Sequence, residues 1–66
     1  NFKHEILEVL NASDKAMTIT EIQENSEALG LLTNQRISAL LTQLKADNLV
    51  ERIVDKRKAM FRVVGE

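Results

Sequence analysis

The stretch Thr33-Asn34-Gln35-Arg36-Ile37-Ser38-Ala39-Leu40-Leu41-Thr42-Gln43-Leu44-Lys45-Ala46-Asp47-Asn48-Leu49-Val50-Glu51-Arg52 decides the fold. Ile37, Leu40, Leu41 and Leu44 recur at i, i+3, i+4 and i+7, the apolar stripe of an amphipathic helix. Thr33 is a helix-capping residue type, so the helix is expected from Asn34 to about residue 47. Asn48 tolerates the left-handed backbone that ends helices. Leu49 to Val54 and Met60 to Val64 are rich in valine and isoleucine and partly alternate with charged residues, which predicts two half-buried antiparallel strands. Between them Asp55-Lys56-Arg57-Lys58-Ala59 forms a five-residue hairpin tip, and without an Asn-Gly pair the register stays open.

Toward the amino end, Phe2, Ile6, Val9 and Leu10 repeat at three and four, predicting a first helix from Phe2 to Ala12. It stops in Asn11-Ala12-Ser13-Asp14-Lys15, where short polar side chains favour turns. Ala16-Met17-Thr18 is too short for a helix and fits a stub of strand. Thr18-Ile19-Thr20-Glu21 has capping-box spacing, so a second helix begins at Ile19, with Ile19, Ile22 and Ser26 facing inward and Gly30 breaking it. The order helix, stub, helix, helix, strand, strand defines a mainly α chain with a small β-hairpin, an α+β class.

A chain of 66 residues with 44% hydrophobic and 29% charged residues, no cysteine and no proline is expected to form a single domain, residues 1–66. Without cysteine there is neither a disulfide framework nor a thiolate metal site, and a reducing cytoplasm is the expected compartment. Apolar runs of three residues or fewer exclude a membrane-spanning helix. A start at Asn1 rather than methionine is expected of a trimmed protein or of one domain of a larger one. The net charge of −1 conceals a gradient: residues 1–32 hold six acids against Lys3 and Lys15, whereas residues 33–66 hold seven bases against Asp47, Glu51, Asp55 and Glu66.

The element order, with Leu29-Gly30-Leu31 in the turn and the run from Ile37 into Asn48-Leu49-Val50-Glu51-Arg52, resembles the winged helix-turn-helix family of bacterial transcription regulators over nearly the whole chain. The resemblance implies a three-helix winged helix-turn-helix that binds double-stranded DNA and regulates transcription. Its third helix would enter the major groove, and a basic wing would reach along the backbone or into the minor groove. Two departures stand out: Asn48 replaces the usual glycine, and Ser26-Glu27-Ala28 and Leu32 lengthen the connection between the caps Thr18 and Thr33. A longer connection would alter the docking angle of the third helix.

Opposite the apolar stripe of that helix lie Gln35, Ala39, Thr42 and Ala46, flanked by Ser38 and Lys45 on one edge and Arg36 and Gln43 on the other. No carboxylate occurs from Leu29 through Ala46. Small residues permit close approach to a groove, and glutamine and arginine carry the paired groups that recognise adenine and guanine edges. Thr33 and Asn34 sit where free amides attract a phosphate, Thr33 being above all a cap. Lys56, Arg57 and Lys58 are the densest positive run and suit phosphates or a narrow minor groove. Arg52 and Arg62 extend that patch if they share the hairpin's outer face, or pair with Glu51 or Asp55. The plainer alternative is an ordinary solvated helix face and turn. Candidate DNA-binding residues are therefore Thr33, Asn34, Gln35, Arg36, Ser38, Ala39, Thr42, Lys45, Lys56, Arg57 and Lys58.

His4 alone is no metal site and is expected beside Glu8 on the surface, and the glutamates of the first two helices form solvated faces with no nucleophile nearby. No catalysis, cofactor or metal is expected. The two phenylalanines, Phe2 and Phe61, fit core or edge packing and leave no stacking platform for single-stranded RNA. With seven bases in the basic half, one copy binds modestly, so a homodimer or a fused domain is an expected partner. The rival class is a protein-interaction module that docks through the acidic first two helices.

Overall fold

A computed structural model describes residues 1–64; Gly65 and Glu66, which complete the expected domain and its acid count, lie outside the described residues. Helix α1 spans Phe2–Ala12 and is capped by Asn1, whose side-chain oxygen accepts from the Lys3 amide at 2.9 Å. It ends as expected at Ser13, whose hydroxyl accepts from the Lys15 amide (3.2 Å) and donates to the Lys15 carbonyl (2.9 Å). Met17 then forms a single antiparallel bridge to Phe61, each amide donating to the other's carbonyl at 2.8 Å. That is the expected stub of strand.

Helix α2 covers Ile19–Glu24 and starts with the capping box: the Glu21 amide donates to the Thr18 hydroxyl at 3.2 Å and the Thr18 amide to the Glu21 carboxylate at 2.9 Å. The single helix expected from Ile19 toward Gly30 is instead two. At Asn25 the side-chain amide donates to the Glu21 carbonyl at 2.7 Å, and Ser26 turns extended to cap a short helix α3, Glu27–Gly30. Ser26 is half-buried, but its hydroxyl acts as the cap, accepting from Leu29 at 3.3 Å and donating to Glu5 on α1 at 3.2 Å. The described chain thus has four helices rather than three. Gly30 also serves a different end from breaking a helix. Its φ is not positive, and a Cβ there would lie 3.1 Å from the Gln23 carbonyl oxygen, so glycine lets α3 approach α2 closely.

Helix α4, the predicted third helix, spans Asn34–Ala46. Its end is a Schellman motif built on Asn48, whose φ is 63°. The Leu49 amide donates to the Leu44 carbonyl and the Asn48 amide to that of Lys45, both at 3.0 Å. Leu49 is therefore spent on closing the helix, and strand β1 runs Val50–Asp55. It pairs antiparallel with β2, Lys58–Val63, from Val50↔Val63 to Asp55↔Lys58. The five-residue tip expected between the strands shrinks to two residues, because Asp55, Lys58 and Ala59 join the ladder. Lys56 (φ 49°) and Arg57 (φ 73°) both adopt left-handed backbone, the signature of a type I′ turn, whose twist matches the strands.

Every element contributes to the core: Ile6 and Leu10 from α1, Met17, Ile22 from α2, Leu29 from α3, Ile37, Leu41 and Leu44 from α4, Val50 from β1 and Phe61 from β2. Among the described residues no fully buried side chain is polar, so the centre of the core is held by apolar packing. Leu40 and Val9 complete their stripes half-buried, whereas Phe2 lies at the rim, 38% exposed. The result is a small α+β fold with a two-stranded hairpin. None of its helices, among the described residues, is long and apolar enough to cross a membrane.

Candidate nucleic-acid interface

Burial of Ile37, Leu41 and Leu44 fixes the rotation of α4 and leaves Gln35, Arg36, Ser38, Ala39, Thr42, Gln43, Lys45 and Ala46 exposed. The expected polar face is therefore present as one continuous surface. Its members are not equivalent. The Thr33 hydroxyl accepts from the Arg36 amide at 3.1 Å, so this side chain is the cap. Thr42 donates its hydroxyl proton to the Ser38 carbonyl at 2.9 Å, which leaves only its lone pairs and methyl group for an outside partner. Asn34 is exposed in the first turn, which carries no acid of its own to offset the partial positive charge of the helix start.

On the hairpin, cross-strand partners share a face, so Glu51 and Arg62 lie on one side and Arg52 and Phe61 on the other. Arg52 and Arg62 do not form one outer patch. The Arg62 guanidinium donates to the Glu51 carboxylate, which takes it out of the basic set. Lys58 stands opposite Asp55 in the ladder without an ion pair to it, and Lys56 and Arg57 occupy the two-residue turn. Among the described residues, ion pairs within 4 Å engage His4 with Glu8 and Arg62 with Glu51, and leave Lys3, Lys15, Arg36, Lys45, Arg52, Lys56, Arg57 and Lys58 unpaired. The His4–Glu8 contact (2.5 Å) is the one expected a turn apart on α1.

The tip carries a conformational cost. Left-handed backbone is disfavoured for residues other than glycine, asparagine or aspartate by roughly 1–2 kcal/mol. Holding lysine and arginine there, where Asn-Gly would be relaxed, presents two charges on a stiff turn.

The residue missed by sequence reasoning is Leu31, 85% exposed and the most exposed large apolar side chain among the described residues. With Leu32, Thr33, Gln35, Arg36 and Ala39 it lines a shallow concavity at the start of α4. Leu29 is fully buried and Leu32 packs against the core, and the α3 turn cannot direct Leu31 the same way. Three leucines within four positions flanking a glycine were the available signal.

Compared with known proteins, the chain matches no family model, no curated sequence and no solved structure.

Proposed function

We propose that this chain is a winged helix-turn-helix domain that binds double-stranded DNA and regulates transcription. In that reading α4 enters the major groove and the Lys56-Arg57 tip lies on the backbone or in the minor groove. The observation that carries the reading is the outward face of α4: exposed along its length, with no acid from Leu29 through Ala46. Such a face has little reason to avoid carboxylates in a chain with ten acids unless it meets a polyanion. A major groove about 12 Å wide admits a helix. Gln35 and Arg36 present base-reading groups there, Ala39 permits close approach, and Lys45 contributes a phosphate contact.

Single modules of this kind bury about 600–1,000 Å² against DNA, so affinity from one copy is modest and a second copy or a fused domain supplies the rest. The test is fluorescence anisotropy with randomised duplexes at low salt. Binding that weakens steeply with salt supports the reading, and absence of binding overturns it. Nuclear magnetic resonance mapping then separates DNA from a protein partner: duplex shifts residues 33–45 and 56–58, whereas a protein docking on the acidic helices shifts residues 2–27.

A further inference from the structure

We propose that Leu31 is itself a base-reading residue, making an apolar contact with the 5-methyl group of thymine in the major groove. The inference rests on the DNA-binding reading above and names the bases it favours.

Leu31 is 85% exposed, yet its backbone is tightly held. Its amide donates to the Ala28 carbonyl at 3.3 Å and the next amide, of Leu32, to that of Leu29 at 3.1 Å. The Gln23 side chain donates to the Leu32 carbonyl at 3.0 Å, and Thr33 caps α4 directly after. A fixed turn therefore holds an apolar side chain in water, beside Gln35, Arg36 and Ala39. The chemistry of those neighbours selects the occupant. Glutamine pairs with the N6 and N7 groups of adenine, and the thymine opposite that adenine places a methyl group, the apolar feature of the major-groove edge, in the same groove. Leu31 and Ala39 supply apolar surface for that methyl, and the acid-free segment with Arg36 suits the phosphates alongside. A second copy of the chain is a poorer occupant, because one leucine ringed by polar residues falls far short of the ~1,200–2,000 Å² that stable interfaces bury.

The experiment selects a preferred duplex from a randomised pool, then replaces its thymidines one at a time by deoxyuridine, which removes the methyl and keeps base pairing. Wild type and Leu31→Ala are titrated against each duplex. One replacement is expected to weaken wild-type binding about fourfold, the value of one buried methylene-sized group. Leu31→Ala is expected to discriminate the thymidine and deoxyuridine forms much less than wild type, retaining only the share that Ala39 supplies. The inference is overturned if no replacement weakens wild type, if the loss is undiminished in Leu31→Ala, or if the preferred duplex contains no thymine. It is also overturned if sedimentation shows a dimer that Leu31→Ala dissociates. Duplex binding without methyl dependence removes this inference alone, whereas no duplex binding at all removes the DNA-binding reading with it. Circular dichroism of Leu31→Ala, an exposed position, confirms that the fold is retained.

Discussion

Replacing Lys56-Arg57 by Asn-Gly is expected to make the protein more stable and a weaker DNA binder at once. Both residues sit in left-handed backbone, at φ 49° and 73°. Relieving that conformation at Arg57 with glycine recovers roughly 1–2 kcal/mol. Glycine also loosens the unfolded chain, which returns about 0.4–1 kcal/mol of the gain. Asparagine, which tolerates this region, recovers a smaller part at position 56, so the pair nets about 1 kcal/mol. In a domain of this size that raises Tm by roughly 4–8 °C. If both side chains neutralise phosphates, the slope of log affinity against log salt falls in magnitude by up to about 1.8, near 0.9 for each lost contact. Thermal melts followed by circular dichroism and anisotropy titrations across a salt series measure the two effects independently. An unchanged or lowered Tm would refute the strain argument. A raised Tm with an unchanged salt slope would refute the role of the tip in binding.

Gln35→Ala is expected to relax preference at one base position by about 1–3 kcal/mol, whereas Lys45→Ala weakens all sequences alike; sequencing of bound pools distinguishes the two. Thr18→Ala removes the acceptor for the Glu21 amide and lowers stability by about 1 kcal/mol, seen as a Tm drop with DNA affinity intact. Leu41→Ala empties a site that is 1% exposed and costs about 2–5 kcal/mol, comparable with the whole stability of so small a domain. Urea titration should show its transition shifted to much lower denaturant or absent.

Features governed by residues close in sequence were legible before the structure. The Thr18–Glu21 box, the Thr33 cap, the span of α1 and the left-handed Asn48 each depend on side chains within a few positions of the backbone they serve. The break between α2 and α3 was not legible, because the Ser26 hydroxyl that caps α3 is also held by Glu5, twenty-one positions away. The tip was misjudged for a related reason. Lys56 and Arg57 have no intrinsic liking for left-handed backbone, and only strand pairing outside the turn imposes it. The helix face followed from periodicity alone, whereas the fates of Arg62 and Lys58 depended on a register that no local signal specified. Leu31 escaped because a leucine beside other leucines suggests core, and only the turn geometry gives two of the three an inward path.

The bridge between Met17 and Phe61 constrains the order in which this chain can assemble. Phe61 supplies a core side chain and both hydrogen bonds to Met17. On a ribosome adding about 5–20 residues per second, the stretch from 17 to 61 takes roughly 2–9 s to emerge. Until Phe61 emerges the apolar residues of α1 and α2 have no β2 to close over them, and helices of 11 and 6 residues gain little stability on their own. Folding of this domain therefore completes only after its last strand is free, and a nascent chain stalled before Phe61 would display Ile6, Leu10 and Ile22 to whatever binds exposed apolar surface.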